Sequence, residues 1–477
     1  MSPAGASPSD SAAANLTDDV RLYGWRHPSI LAAAWFALAA GFAQFGATAA
    51  LGDVAKAFGA PQGGASIAAR VGLSGTTLGL GLAVIRLASL GSLPLAGLAD
   101  RFGRRRALIG CVALGLTLTA SAALSPSFWW FVTIFALGRP LLSATNTVSG
   151  VIAAEQTRSR DRVKAIALIT AGYAVGAGLT ALLRGVLGDR LGFRGLFALA
   201  LVPLAATPLV ARRLKEPERY QRLRTGAALG VAVPDAETPG SVAGTSTGTS
   251  TGTSAGASAG TSTGTSTGAP GGLRALWVVG RLRADLRAWL WVLTGLTFAF
   301  SFVIGPTNTF LFLYAENDLG MTRSATALMV LVAGPLGLVG LLVGRWAADT
   351  LGRRRAAAVA QALVALAGMV TYSGSPAGAV GGYLLAITGS AAYGPATATL
   401  TAELFPTSVR ATVAGWLVAS GVLGAVAGLV AFGTLADALN SFGLGAVAIG
   451  APVVAVSLLF ARLPETVGLE LEQSAPE

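Results

Sequence analysis

A short cationic signature occurs twice in this chain, half a length apart, each time between two long apolar segments. The first copy reads Gly97-Leu98-Ala99-Asp100-Arg101-Phe102-Gly103-Arg104-Arg105-Arg106. The second keeps the skeleton as Asp349-Thr350-Leu351-Gly352-Arg353-Arg354-Arg355, 249 residues on from Asp100 to Asp349. A second pair, Glu155 with Arg162 and Glu403 with Arg410, repeats at a spacing of 248 between the glutamates. Two halves that align almost without gaps imply one structural unit used twice. When that unit is built of apolar runs, the chain is a duplicated bundle of membrane helices.

A helix needs about 20 apolar residues to cross the hydrocarbon core. Six such runs fall in the first half, at 29–52, 72–96, 105–124, 128–152, 164–187 and 195–212. Six more follow at 288–313, 325–345, 355–373, 377–401, 411–434 and 442–461. The expected fold is all-α and integral to the membrane, with twelve transmembrane helices in two pseudo-symmetric six-helix halves, 29–212 and 288–461. A tail of 1–28 precedes them, a linker of 213–287 joins them and a tail of 462–477 ends the chain. With only 12% of residues charged against 53% hydrophobic, a soluble domain would lack a surface.

Basic residues sort to one side of this arrangement. Arg21, Arg26, the Arg101–Arg106 cluster, Arg158, Arg160, Arg162, Lys164, the basic residues of the linker, Arg345, Arg353, Arg354, Arg355, Arg410 and Arg462 share it. The other side has Lys56, Arg70, Arg190, Arg194 and Arg323. The positive-inside rule then puts both termini and the linker in the cytoplasm, and the protein in the cell membrane. The net charge of +12 is thus a property of loops beside anionic lipid, not of a nucleic-acid surface. Within the linker, Ser241 to Gly272 is a Gly/Ser/Thr/Ala tract expected to be flexible, spanning on the order of 30 Å. The single cysteine, Cys111, excludes an internal disulfide, and the single histidine, His27, excludes a histidine metal cluster. No nucleophile–base set or phosphate loop is present, so neither an enzyme nor a cofactor is expected.

These motifs resemble those of the major facilitator superfamily of transporters across nearly the whole chain. Gly97–Arg106 is similar to the family's loop between helices two and three. Ala402-Glu403-Leu404-Phe405-Pro406-Thr407-Ser408-Val409-Arg410 and Pro464-Glu465-Thr466-Val467-Gly468-Leu469-Glu470-Leu471-Glu472 resemble sugar-porter and metabolite-symporter segments. Glu216-Pro217-Glu218-Arg219-Tyr220 is a shortened echo of the signature that follows their sixth helix. The resemblance implies alternating access of a small molecule, with protons as the candidate coupling ion. It also implies a latch between the halves on the cytoplasmic side, formed by Asp100, Arg101, Gly103, Arg104, Asp349, Gly352, Arg353, Glu155, Arg162, Glu403 and Arg410. The competing reading is plain topology anchoring by cationic loops.

Three arginines fall inside apolar runs. Arg184, near the outer end of the fifth, can snorkel to the interface. Arg86 and Arg139 lie near mid-depth, where a charge costs about 3 kcal/mol. Arg139 shares a helical face with Ser143, Asn146 and Gly150, a polar stripe suited to a cavity wall. No Asp or Glu lies at that depth. Proton-driven sugar porters carry an aspartate in the first helix, where this chain has Ala43-Gln44-Phe45-Gly46-Ala47. Two buried cations without a buried anion favour a substrate that brings its own negative charge, carboxylate-like. Gln44, the only strongly polar group of that first-helix stretch, is a candidate cavity residue. Ser301, Thr307, Asn308, Tyr173, Tyr393 and Trp416 are further candidates, each of which ordinary packing would also explain. Gly172 and Gly176, and Ser420, Gly424 and Gly428, have spacing suited to close helix contact. A neutral sugar or polyol carrier, a drug exporter and a non-transporting nutrient sensor are the alternatives.

Overall fold

The computed structural model describes residues 22–59, 66–218, 221 and 283–467. The tract 241–272, the end of the last signature from residue 468 and the side chain of Asp100 lie outside the described residues. Among the described residues, twelve long helices are formed. In the first half these are α1 (Pro28–Ala49), α2 (Gly75–Ala99), α3 (Arg104–Leu124), α4 (Phe128–Gln156), α5 (Arg160–Gly188) and α6 (Arg190–Ala211). In the second they are α7 (Ala284–Asn317), α8 (Arg323–Thr350), α9 (Arg353–Thr371), α10 (Pro376–Leu404), α11 (Thr407–Leu439) and α12 (Phe442–Arg462). Ten are long and apolar enough to span a membrane on length and composition alone. The other two, α9 and α10, are richer in Ala, Gly, Ser and Thr and pack on each other, α10 also on α8. Leu338, Leu342, Val343 and Trp346 stand exposed along α8, a face suited to lipid rather than water.

Helix starts repeat between the halves because the capping chemistry repeats. Ser74 and Thr322 cap α2 and α8, and Ser127 and Ser375 cap α4 and α10, each hydroxyl accepting the N–H three residues on. The reversals into α3 and α9 pass through Gly103 and Gly352 at φ 100° and 103°, a region that favours glycine. The helical backbone is interrupted at Gly192 (φ 59°), in the first turn of α6.

Two helix pairs, α1 with α5 and α7 with α11, bring backbones into close approach. A methyl added to Gly176 would sit 2.0 Å from the Leu38 carbonyl oxygen, and one on Gly428 2.0 Å from that of Phe302. Gly172 and Gly424 face Ala34 and Phe298 in the same way, so these glycines serve helix contact.

The halves meet along two seams, α2 with α11 and α5 with α8. At the end remote from the arginine loops α2 and α11 touch: a methyl on Gly79 would lie 2.4 Å from the Leu429 oxygen. At the arginine end a methyl on Gly97 of α2 or Gly415 of α11 would meet nothing within 4 Å. The helix pair is closed at one end and splayed at the other.

Candidate substrate cavity and gates

A cavity lies between the halves, lined by α1, α2 and α4 on one wall and α7 and α11 on the other. Its polar residues are Gln44, Thr48, Arg86 and Arg139 from the first half, and Asn308 and Thr309 from the second. Apolar residues including Leu82, Ile85, Ile304 and Leu429 complete it, and none of the lining residues is acidic. Gly305 also lines the cavity and precedes Pro306, which cannot close the helical hydrogen bond to Phe302. Arg139 and Gln44 are buried, and the Tyr173 hydroxyl donates to Gln44 Oε1 at 3.4 Å. Arg86, Arg139 and Tyr173 form one electrostatically interacting group.

Of the expected cavity residues, Gln44, Arg86, Arg139 and Asn308 come together here. Ser143 and Asn146 continue the Arg139 face of α4 toward the arginine end, partly exposed, and a methyl on Gly150 would meet nothing within 4 Å. Thr307 turns away: its hydroxyl donates to the Val303 carbonyl and lies against Gly368. Ser301 faces Gly421 of α11. Tyr393 stacks on Phe300 at 3.9 Å within the second half. Trp416 donates from Nε1 to Thr294 Oγ1 at 3.0 Å and packs edge-on against Trp291.

At the arginine end the two signatures build the same cluster twice. Arg104 donates to Glu155 at 2.9 Å, and Arg353 lies 3.3 Å from Glu403. The backbone N–H groups of Arg104 and Arg105 donate to Glu216, as that of Arg353 donates to Glu465 at 2.9 Å. These carboxylates cap the exposed amides at the starts of α3 and α9, where negative charge is favoured. Arg105 and Arg354 donate to the carbonyls of Leu214 and Leu463. Glu155 and Glu403 lie against Arg104 and Arg353, because the signature arginines project from the adjoining helix start. Arg410 donates to the Phe405 carbonyl at 3.3 Å. Asp349 sits exposed, 3.9 Å from Arg353. Each of these contacts lies within one half.

The opposite end is joined between the halves. Arg184 of α5 donates through both terminal nitrogens to Glu316 of α7 at 2.6 Å, and through Nε to Asp53 at 2.8 Å. Arg323 of α8 reaches the second oxygen of Asp53 at 2.7 Å, and Thr326 donates to Glu316 at 2.8 Å. The Arg184 side chain is only 3% exposed, so it does not snorkel to the interface as its position suggested. A bidentate carboxylate supplies the compensation that water would otherwise give. Asp437 of α11 accepts the N–H groups of Gly75 and Thr76, both at 2.7 Å, and the Thr76 hydroxyl, so the second half caps α2 of the first. Arg70 lies 3.5 Å from Asp318, whose carboxyl burial pushes above the usual carboxylate range, partly offset by Arg70. None of Asp53, Glu316, Asp318 or Asp437 stood out in the sequence. The available signal was that acids are scarce and that these sit at span edges on the side poor in basic residues.

The Major Facilitator Superfamily model matches residues 31–428. A cis,cis-muconate transport protein of Acinetobacter baylyi is 27% identical over 385 residues, covering 78% of this chain and 83% of that protein. A gallate transporter of Pseudomonas putida is 28% identical over 374 residues, covering 75% of each. Among solved structures, the inward open conformation of the xylose transporter XylE from E. coli superposes with a TM-score of 0.66 at 18% identity. That match covers 93% of this chain and 98% of XylE, a likeness of fold.

Proposed function

Because the chain belongs to the major facilitator superfamily, we propose that it carries small organic carboxylates across the cell membrane, with Arg86 and Arg139 as the anion site. The observation that carries this reading is a cavity lined by two guanidinium groups, Arg139 buried and Arg86 partly buried, with no carboxylate in its lining. A bound carboxylate offsets part of the arginines' desolvation and accepts charge-assisted hydrogen bonds from them. The named substrates of the muconate and gallate relatives, both carboxylates, support it.

The arginine end faces the cytoplasm under the positive-inside rule, so the described state is open inward and closed outward. Ser143, Asn146 and Gly150 line the path from the cytoplasm to Arg139. Asp100 and Arg101 of the first signature latch the halves when the cavity opens outward, while the Arg104–Glu155 and Arg353–Glu403 pairs hold each half together. Protons couple to transport by entering with the substrate as its undissociated acid, since no side chain lining the cavity is acidic.

Uptake of labelled gallate, cis,cis-muconate and xylose into proteoliposomes tests the proposal. The carboxylates are expected to accumulate in preference to xylose. Arg139→Gln should lower their uptake by about one to two orders of magnitude, as loss of a hydrogen bond to a charged group does. Arg139→Lys should retain a fraction, because it keeps the charge without the planar fork. Equal uptake by wild type and Arg139→Gln, or preference for xylose, overturns it.

A further inference from the structure

The joined end holds a carboxylate site that is already built and filled. Arg184 gives both terminal nitrogens to the two oxygens of Glu316 at 2.6 Å, the fork that a guanidinium offers any carboxylate. The site is enclosed: the Arg184 side chain is 3% exposed and that of Glu316 10%. Its two parts belong to different halves, Arg184 to α5 and Glu316 to α7. When the halves part, Arg184 keeps the bond from Nε to Asp53, which lies on its own half, and loses the other two. Arg184 shares a face of α5 with Tyr173, eleven residues and about 16 Å away toward the joined end. Tyr173 interacts with Arg86 and Arg139, so the first half carries cations at two depths.

On the reading that the substrate is a carboxylate, we infer that Arg184 is a second substrate site, which a carboxylate of the substrate occupies in place of Glu316 while the joined end is open. The departing Glu316 strips Arg184 of two charge-assisted hydrogen bonds, and a substrate carboxylate restores both with the same geometry. The local field favours it. Around that end the first half has Lys56, Arg70, Arg184, Arg190 and Arg194 against Asp53 and Asp189. The second half has Arg323 against Glu316, Asp318 and Asp437. Parting the halves therefore leaves the positive excess on the Arg184 side, which concentrates anions there. Glu316 and the substrate compete for one fork, so this end closes only after the carboxylate has moved on. Arg86 and Arg139 draw it inward, because no side chain lining their cavity is acidic and none contests the anion.

Benzoate, a carboxylate with no second charge, tests the assignment by equilibrium binding to the full chain in nanodiscs. Wild type should bind it more tightly than Arg139→Gln, a result that belongs to the carboxylate reading alone. The second site is read in the Arg139→Gln background, with the cavity site disabled. There Glu316→Ala should bind benzoate about tenfold tighter, because the competing carboxylate is gone, and adding Arg184→Gln should remove the gain. Spin labels on α5 and α8, in the same background, give a second readout with Arg184 and Glu316 both in place. Asp437→Asn loosens the joined end, and benzoate should then lengthen the distance across it. With Arg184→Gln added, that distance should not respond to benzoate. Tighter binding by wild type than by Arg139→Gln, with no gain in Glu316→Ala or with a gain that survives Arg184→Gln, overturns the inference and leaves the carboxylate reading intact. Equal binding by wild type and Arg139→Gln overturns both. Should Glu316→Ala not insert, the Asp437→Asn distances decide: no response to benzoate, or one that persists in Arg184→Gln, overturns the inference equally.

Discussion

The two ends of the molecule use the same chemistry, arginine against carboxylate, for different purposes. At the arginine end Arg104–Glu155 and Arg353–Glu403 each tie helices of one half together. At the other end Arg184–Glu316 and Arg323–Asp53 tie one half to the other. A pair inside a body that moves as a unit is present in every state and cannot bias the equilibrium between states. A pair between the bodies exists only when that end is closed, and its whole free energy enters the conformational equilibrium. The network at the joined end therefore contributes to the balance between states in a way that the clusters at the arginine end, each inside one half, do not. Asp437 belongs with the former, since α2 loses two capping acceptors when the halves part there.

The largest expected effect comes from breaking the joined end. Arg184→Gln leaves Glu316 and Asp53 buried without their shared cation, a change that costs about 3 kcal/mol or more in comparable buried pairs. The closed end should open, with a shift on the order of a hundredfold in the ratio of states. Spin labels across that end, on α5 and α8, should report a longer distance, and labels across the arginine end a shorter one. Unchanged distances in both places would mean the network merely decorates a closure held by helix packing.

A smaller effect is expected from the mirror experiment. Glu155→Gln or Glu403→Gln removes one carboxylate from a cluster that keeps Glu216 or Glu465 at the helix start. Thermal stability should fall by about 1–2 kcal/mol, below the cost for a fully enclosed pair because Glu155 is 21% exposed. The spin-label distances at both ends should stay as in wild type. A shift comparable with that of Arg184→Gln would sink the division between the ends.

How much of this was legible in the sequence follows the same division. The duplicated signatures carried the architecture, because glycine turns, serine caps and cationic loops act over a few residues and leave local traces. Arg86 and Arg139 were legible as cavity candidates because a cation at mid-depth in an apolar helix is costly facing lipid, whereas Asn308 read no differently from Ser301 and Thr307, which pack elsewhere. The network at the joined end left no such trace. Arg184 finds Asp53 and Glu316 at sequence separations above 130 residues, and only the packing of α5 against α8 and of α7 against residues 51–58 brings them together. Its position near a span end invited snorkelling, the cheaper solution for an isolated helix. Tyr393 and Trp416 were ambiguous for the opposite reason: an aromatic on an apolar helix reads alike whether it faces a cavity or Phe300 and Thr294.

The smallest effect belongs to a titration at the arginine end. His27 caps α1, its Nδ1 accepting the Ser29 N–H at 3.2 Å, and its ring stacks on Tyr23 at 3.8 Å. Tyr23 in turn pairs with the backbone of Gln156 and Arg158, so the ring links the start of α1 to the end of α4. Burial, and then the Lys215 ammonium, hold the imidazole below its usual value of 6.5. The folded chain thus binds fewer protons here than the unfolded one. The stabilisation is present above about pH 6.5 and is lost as pH falls through the depressed folded value. Protonation removes the acceptor that caps α1, worth roughly half a kcal/mol for a ring this exposed. His27→Asn should keep the cap and flatten the acid limb of the stability profile. The distances between the halves should not respond to pH through this group, because both of its partners lie in the first half. A pH-dependent change in those distances that His27→Asn abolishes would show that the arginine end, too, speaks to the state of the cavity.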